Sequence, residues 1–337
     1  MPQLAQFQQH SAEYRAIGID VSKASLSVHG LLAEGGVSLT LPNTSTAVTE
    51  LMQGLAKAGF AGRIVLESTG YYHWLAVVCG AEAGLDVRLV NPLLSSKHAR
   101  AAIRKTKTDP VDARQLACMA ITEPHLPAPW QHDRSWVALR HQAGLLCTLE
   151  KVLQRLQATL RDHRAALATL GVTDAPIVTD LAEQIKTLRR RCKRAEDALA
   201  TGLKAYAHAP LHARLQTVPG VSAYVAGLQA LFFRTDVRGP KAWSAFIGLD
   251  LSIKQSGTWR GRSRLSKRGN AYLRKRMFQA AWGAMQCNAE FKAYYQRLRA
   301  QGRSYVEALI MIARKQLRIA YVLWTQDRTY DPAMLKT

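Results

Sequence analysis

Residues 15–30, RAIGIDVSKASLSVHG, alternate apolar and small polar side chains around a turn-prone Ser22-Lys23. A period of two is the mark of half-buried strands, so this stretch predicts two paired strands, the first ending at Asp20. Residues 42–59 offer Asn, Ser and Thr near their start, whose side chains can cap free helical N–H groups, and end with Gly59. A short amphipathic helix is expected there. Residues 63–66 (RIVL) predict a buried strand stopping at Glu67, residues 71–83 a helix, and residues 86–90 (DVRLV) a further strand before Asn91-Pro92. Strands and helices that alternate in this way predict an α/β domain.

The pattern then changes. Residues 123–130, EPHLPAPW, hold three prolines that cannot continue a helix and read as a linker. From about Ser135 to Ala207 Pro and Gly almost vanish and leucines recur at three- and four-residue spacing, as in LLCTLEKVLQRLQATL. Long helices follow from that spacing, an antiparallel pair or coiled coil broken near residues 171–175. In LQTVPGVSAYVAGLQALF a tight Pro219-Gly220-Val221 turn separates two apolar helical runs. It reads either as a helix-hairpin-helix offering N–H groups to a phosphate or as a plain helical hairpin with no ligand. Beyond Ala245-Phe246-Ile247-Gly248-Leu249 come a Gly/Ser/Arg-rich loop and two helices with basic faces through Arg276 and Arg318. The expected organisation is an α/β domain over residues 12–125, a helical coiled-coil region over 133–207, and a mainly α C-terminal domain over 210–327.

Charge narrows the function. Lys and Arg number 46 against 24 Asp and Glu, for a net charge of +22. An excess of that size calls for a polyanionic partner, nucleic acid first, because neutralised phosphates release counterions. The five cysteines lie too far apart for a C-x-x-C pair and are odd in number, against a structural zinc or a disulfide framework. No signal-peptide pattern stands at the N-terminus and no uncharged run escapes polar interruption, so a cytoplasmic protein with no membrane span is expected.

Four acids occupy telling positions: Asp20 and Glu67 at strand ends, and Asp109 with Asp112 in KTKTDPVDARQLA. Carboxylates at strand ends converge at one edge of an α/β sheet, where a hard cation such as Mg²⁺ (or Mn²⁺) can be held beside a phosphodiester. Asp109-Pro110-Val111-Asp112 is equally an ordinary helix start, and capping would itself bring the two carboxylates together. Lys97, Arg100, Arg104, Lys105 and Lys107 precede Asp109 with no acid among them, a basic rim suited to a phosphate backbone.

Residues 253–276, IKQSGTWRGRSRLSKRGNAYLRKR, carry Lys254, Arg260, Arg262, Arg264, Lys267, Arg268, Arg274, Lys275 and Arg276 and no acid. Glycines at 257, 261 and 269 admit close approach of a strand, Trp259 and Tyr272 can stack on bases, and the arginines can fork onto phosphates. Nucleic-acid contact is expected here. Ser256, in Gln255-Ser256-Gly257, can attack phosphorus if its proton is removed, although chemistry alone does not rank it above Ser252, Ser263 or Ser266.

GIDVSK at 18–23, LESTG at 66–70, KTDPVDA at 107–113, VPGVS at 218–222, AFIGL before QSG, and SKRGNAYLRK at 266–275 follow one another over nearly the whole chain. In that order they resemble the DEDD-type insertion-sequence transposases related to the Piv/MooV DNA invertases. The resemblance implies an RNase H-like (RuvC-like) N-terminal domain whose metal site is Asp20, Glu67, Asp109 and Asp112, a coiled-coil middle, and a C-terminal transposase domain whose nucleophile is Ser256. It further implies donor and target DNA, a structured guide RNA from the element, and a dimer or tetramer whose subunits share active sites. The competing reading is a Holliday-junction-type endonuclease in which the acids activate water and Ser256 only contacts the backbone.

Overall fold

The computed structural model describes residues 2–68, 70–172, 175–206, 209–233, 237, 239–252, 255–256, 259–260 and 264–335, except 101–108. The chain divides into two compact units, Met1–Val137 and Ala138–Thr337. A mixed α/β sheet region is followed by a mostly helical part.

In the first unit α1 (Pro2–Gln9) precedes β1 (Ala16–Val21), β2 (Ser25–Leu31), β3 (Gly36–Pro42), α2 (Ser45–Lys57), β4 (Arg63–Glu67), α3 (Trp74–Glu82), β5 (Asp86–Val90), α4 (Pro92–Arg100) and α5 (Asp109–Thr122). The five strands form one sheet in the order β3-β2-β1-β4-β5. β1, β2 and β3 run antiparallel as a meander, whereas β4 and β5 continue from β1 in parallel. Thr44 caps α2 through its side chain, as the polar residues before that helix predict.

Side chains alternate across a strand, so each face has its own core. Ile17, Ile19 and Val21 of β1 join Ile64 and Leu66 of β4 beneath Val48, Leu51, Met52 and Leu55 of α2 and Val77 of α3. On the opposite face Ala16, Val65 and Val90 pack with Leu116, Met119 and Ala120 of α5. A Cβ at Gly18 would stand 1.9 Å from the Ala113 carbonyl oxygen and 2.4 Å from the Ala117 nitrogen. Only glycine lets α5 lie this close to β1.

Three local expectations change. The third meander strand, GVSLTLP, was not among the predicted elements although it alternates. The helix expected from residue 71 begins at Trp74, after a turn. The proline-rich linker lies along β5, with the Trp130 N–H donating to Val87 O at 2.8 Å and Arg88 donating to Pro127 O at 3.3 Å. Extended chain without helix can cover an otherwise open sheet edge.

The second unit takes in most of α6 (Arg134–Thr169) and all of α7 (Pro176–Tyr206), then α8 (Ala209–Gln216), α9 (Ala223–Phe232) and α10 (Pro240–Ile247). After the two-residue strands β6 (Leu251–Ser252), β7 (Gln255–Ser256), β8 (Trp259–Arg260) and β9 (Arg264–Leu265) come α11 (Ala271–Cys287), α12 (Ala289–Ala300) and α13 (Tyr305–Thr325). Leu139, Leu146, Leu153 and Leu160 of α6 are buried at seven-residue intervals, as are Ile185, Cys192 and Leu199 of α7. The Pro219-Gly220 turn is seated against α11: a Cβ on Gly220 would meet Ala280 O at 2.2 Å, and Gln316 Nε2 donates to Pro219 O at 2.8 Å. These contacts suit a turn that closes a helical hairpin. Among the described residues no helix is long and apolar enough to cross a membrane.

Candidate active site

β1 and β4 are parallel neighbours with Ile19 paired to Leu66. The next residue on each strand is therefore Asp20 on one and Glu67 on the other, side by side where the strands end. Both are half-buried. Asp20 shares its face with Ala16 and Gly18, and Glu67 with Val65, so both lie on the face that α5 covers.

The direction of α5 completes the arrangement. Arg63, at the start of β4, donates to the Ala120 carbonyl near the end of α5 at 3.1 Å, while Gly18 further along β1 faces Ala113 and Ala117. α5 thus runs against β1 and β4, and its first turn, Asp109 to Asp112, reaches the edge where Asp20 and Glu67 stand. Asp112 is half-buried, and the side chain of Asp109 lies outside the described residues. Ser95 of α4 donates its hydroxyl to Glu67 Oε2. Sequence reading missed this serine, because a hydroxyl in the run LLSSKHAR carries no signal of its target.

These donors are all carboxylate oxygens, a set that fits a hard divalent cation and suits no soft metal. Among the described residues no three His, Cys, Asp or Glu gather closely enough to hold an ion. The backbone brings the ends of β1 and β4 and the first turn of α5 to one edge, while the described side chains of Asp20, Glu67 and Asp112 do not close on a common point.

Ser256 sits in a separate construction. Its backbone pairs with Trp259 in the β7–β8 ladder, with Gln255 opposite Arg260, while β6 and β9 pair below. The stem is tight: a Cβ on Gly269 would stand 2.0 Å from Phe246 O, and the Ser266 hydroxyl donates to Asp250 Oδ1. AFIGL and SKRGN, far apart in sequence, are thereby the two sides of one stem. Asp250 was another residue that the sequence did not single out.

The basic residues of this segment divide. Lys267 and Arg268 are exposed. Arg274 is turned inward, its Nη1 donating to Ile247 O at 2.9 Å, and burial pulls its pKa down. Lys275 pairs with Glu150 at 2.8 Å, and Arg276 reaches Glu150, Glu196 and the Tyr272 hydroxyl while lying over the rings of Tyr224 and Tyr272. Arg276 is thus part of a buried cluster and not of a basic face. Tyr272, expected as a stacking residue, is itself buried and bonded to the Tyr224 hydroxyl, and burial raises its pKa. Lys105, Lys107, Lys254 and Arg262 lie outside the described residues, and of Ser256, Trp259, Arg260 and Arg264 only the backbone is described.

Known proteins share this arrangement of sequence. Residues 17–168 match the DEDD transposase model of the IS110 type, described as a transposase, and residues 212–296 match the model described as "Transposase IS116/IS110/IS902 family". The chain is 24% identical to the transposase for insertion sequence element IS1111A of Coxiella burnetii, covering 94% of this chain and 92% of the relative. It is 22% identical to the insertion element IS110 uncharacterized 43.6 kDa protein of Streptomyces coelicolor, over 94% of this chain and 96% of the relative. With the pilin gene-inverting protein of Moraxella bovis the identity is 23%, over 94% and 97%. Both halves of the chain, the one that carries the acid edge and the one that carries the serine loop, therefore point the same way, and the chain belongs to the DEDD transposases of the IS110 type, relatives of the Piv-like DNA invertases.

Proposed function

We propose that this transposase cuts and rejoins DNA through Ser256, with Asp20, Glu67, Asp109 and Asp112 holding Mg²⁺ (or Mn²⁺). The observation that carries the reading is the convergence of the β1 end, the β4 end and the first turn of α5 on one edge. When bound there, the cation supplies Lewis-acid polarisation of the scissile phosphate. Ser256 Oγ gives up its proton and forms an O–P bond as a P–O bond of the strand breaks, the departing oxygen taking up a proton. The covalent phosphoester conserves the bond energy, so a new DNA hydroxyl can reverse the step and rejoin without an external energy source.

The same reading divides the chain into an RNase H-like (RuvC-like) catalytic domain over residues 12–125, a coiled-coil region over 133–207 and a transposase domain over 210–327. The mixed sheet supports the first, and seven-residue spacing of buried positions on α6 and α7 supports the second. Leu145, Leu149 and Val152 stay exposed on α6, which supports assembly into a dimer or tetramer. The charge of +22 supports nucleic-acid partners, donor and target DNA first, and the resemblance to the family adds an element-encoded guide RNA.

The test incubates the protein with Mg²⁺, RNA co-purified from cells carrying its element, and labelled element-junction DNA. A denaturant-resistant protein–DNA band is expected, and it should vanish in Ser256→Ala. Cleaved DNA without an adduct, unchanged by Ser256→Ala, would establish water as the nucleophile and the hydrolytic endonuclease reading instead.

A further inference from the structure

The loops that continue from the two strand-end carboxylates build a second feature. Lys23 lies in the turn three residues after Asp20, and Tyr71 and Tyr72 follow Glu67 by four and five residues. Asn43 ties the two loops together, its Nδ2 donating to Ser22 O at 3.0 Å and to Tyr72 O at 3.1 Å. Its Oδ1 is buried with no hydrogen-bond partner among the described residues. Between the loops and the start of α3 is an open cleft of about 420 Å³, lined by Lys23, Asn43, Tyr71, Tyr72, Trp74 and Arg134 among others.

The chemistry of the lining selects an occupant. Tyr71 is 67% exposed and Tyr72 43%, an unusual cost for two adjacent aromatic residues in a monomer. Trp74 is fixed from behind by Trp130 and Trp136, with ring centroids at 5.5 and 5.7 Å, so that part of the wall is rigid. Arg134 is committed to Glu82 through two bonds of 2.7 Å and serves as wall rather than as a phosphate ligand. Lys23 is exposed and has no ion pair among the described residues, which leaves its ammonium for a phosphate. Exposed aromatic faces with one uncommitted cation are the elements of a stacking platform for an unpaired nucleotide. A base within a duplex is stacked on its neighbours and cannot enter without being extruded.

We propose that this cleft receives an unpaired DNA base next to the phosphate being cut, stacked on Tyr71 and Tyr72 with its backbone held by Lys23. The proposal rests on the reading of the carboxylate edge as the cutting site. Asp20 and Glu67 occupy the α5 face, whereas Leu75 of the cleft packs with the core of the opposite face. A strand whose base is held in the cleft must bend over the sheet edge to reach the carboxylates. Extruding one base thereby turns its phosphate towards them.

Photocross-linking tests the site without requiring any reaction. Full-length protein in EDTA is irradiated with a single-stranded DNA oligonucleotide carrying 5-iododeoxyuridine, and the adduct is mapped by mass spectrometry of tryptic peptides. The adduct is expected on Tyr71 or Tyr72, at least about tenfold weaker with the fully paired duplex and with the Tyr71→Ala/Tyr72→Ala protein. Tyr71→Phe/Tyr72→Phe, which keeps the rings, should retain it and so separates stacking from misfolding. Adducts confined to residues 253–276, equal labelling by duplex, or labelling by an iodouridine RNA but not by DNA would each overturn the proposal. Because the assay contains no divalent ion, a chain with no Ser256-dependent adduct can still give the cleft cross-link, and the two readings fail separately.

Discussion

The carboxylates and the serine are held in opposite ways. Asp20 and Glu67 are placed by backbone register, one residue beyond the Ile19–Leu66 pair, with Ser95 donating to Glu67, and Asp112 by a helix lying directly on β1. Ser256 stands on a ladder of two-residue strands, secured at its stem by the Gly269 contact, the Ser266–Asp250 hydrogen bond and the Arg274 bond to Ile247 O. Regular elements position a group chiefly through the backbone, whereas a loop must be clamped where it leaves the core. The first arrangement is preorganised. The second holds its serine through the stem.

The largest test of this contrast is Asp20→Asn. Removing one carboxylate from the edge should lower DNA cutting by about a thousandfold or more. Thermal unfolding should move little, since Asp20 is only half-buried. Junction-cleavage assays beside thermal melts measure both, and retained cutting would remove the edge from the chemistry.

Gly18→Ala attacks the same edge through its scaffold. The new Cβ meets the Ala113 carbonyl at 1.9 Å, backbone against backbone, so α5 must lift from β1. A loss of about 3 kcal/mol in a urea melt is expected, together with lost cutting, because the first turn of α5 moves with the helix. Gly269→Ala is the matched change in the loop stem, with its Cβ 2.0 Å from Phe246 O. It should also cost cutting, but with less loss of stability than Gly18→Ala, because the clash falls on the last turn of α10 and the segment leading into α11 rather than along a helix lying on the sheet. Equal destabilisation by the two would erase the distinction.

What the sequence reveals follows the same division. Alternation in RAIGIDVS and the strand RIVL placed Asp20 and Glu67 at strand ends, and the β1–β4 register made them neighbours. Local periodicity decides such positions. The burial of Tyr272 and Arg276 was invisible, because their partners Tyr224, Glu150 and Glu196 come from helices 48 to 126 residues away. A run of basic residues looks uniform in sequence, yet packing sends Arg274 and Arg276 inward and leaves Lys267 and Arg268 exposed. Asp250 and Ser95 were equally silent, since each acquires its place through one tertiary hydrogen bond.

A smaller effect is expected at the stem itself. Asp250→Asn keeps the shape of the side chain but weakens a charge-assisted bond from Ser266, which anchors β6 to β9. The loop should become looser, with cutting down about tenfold. Hydrogen exchange should rise at Leu265 and Ser266 while α11 and α13 stay protected. Unchanged exchange would show that the glycine contact alone holds the stem.

The smallest effects come from single cations and separate two kinds of arginine. If Arg262 contacts a phosphate, Arg262→Ala should weaken DNA binding evenly across sequences and reduce the slope of log K against log salt by about 1. Arg274 donates to Ile247 O beneath the loop, so Arg274→Ala should lower stability by about 1–3 kcal/mol through an unsatisfied buried carbonyl. Its salt slope should stay at the value of the unaltered protein. Binding titrations at several salt concentrations, read beside thermal melts, therefore assign each arginine to substrate or to scaffold. A reduced slope in Arg274→Ala would place its charge on the nucleic acid despite its inward bond, and the basic segment would then act as a single surface rather than divide into scaffold and substrate contacts.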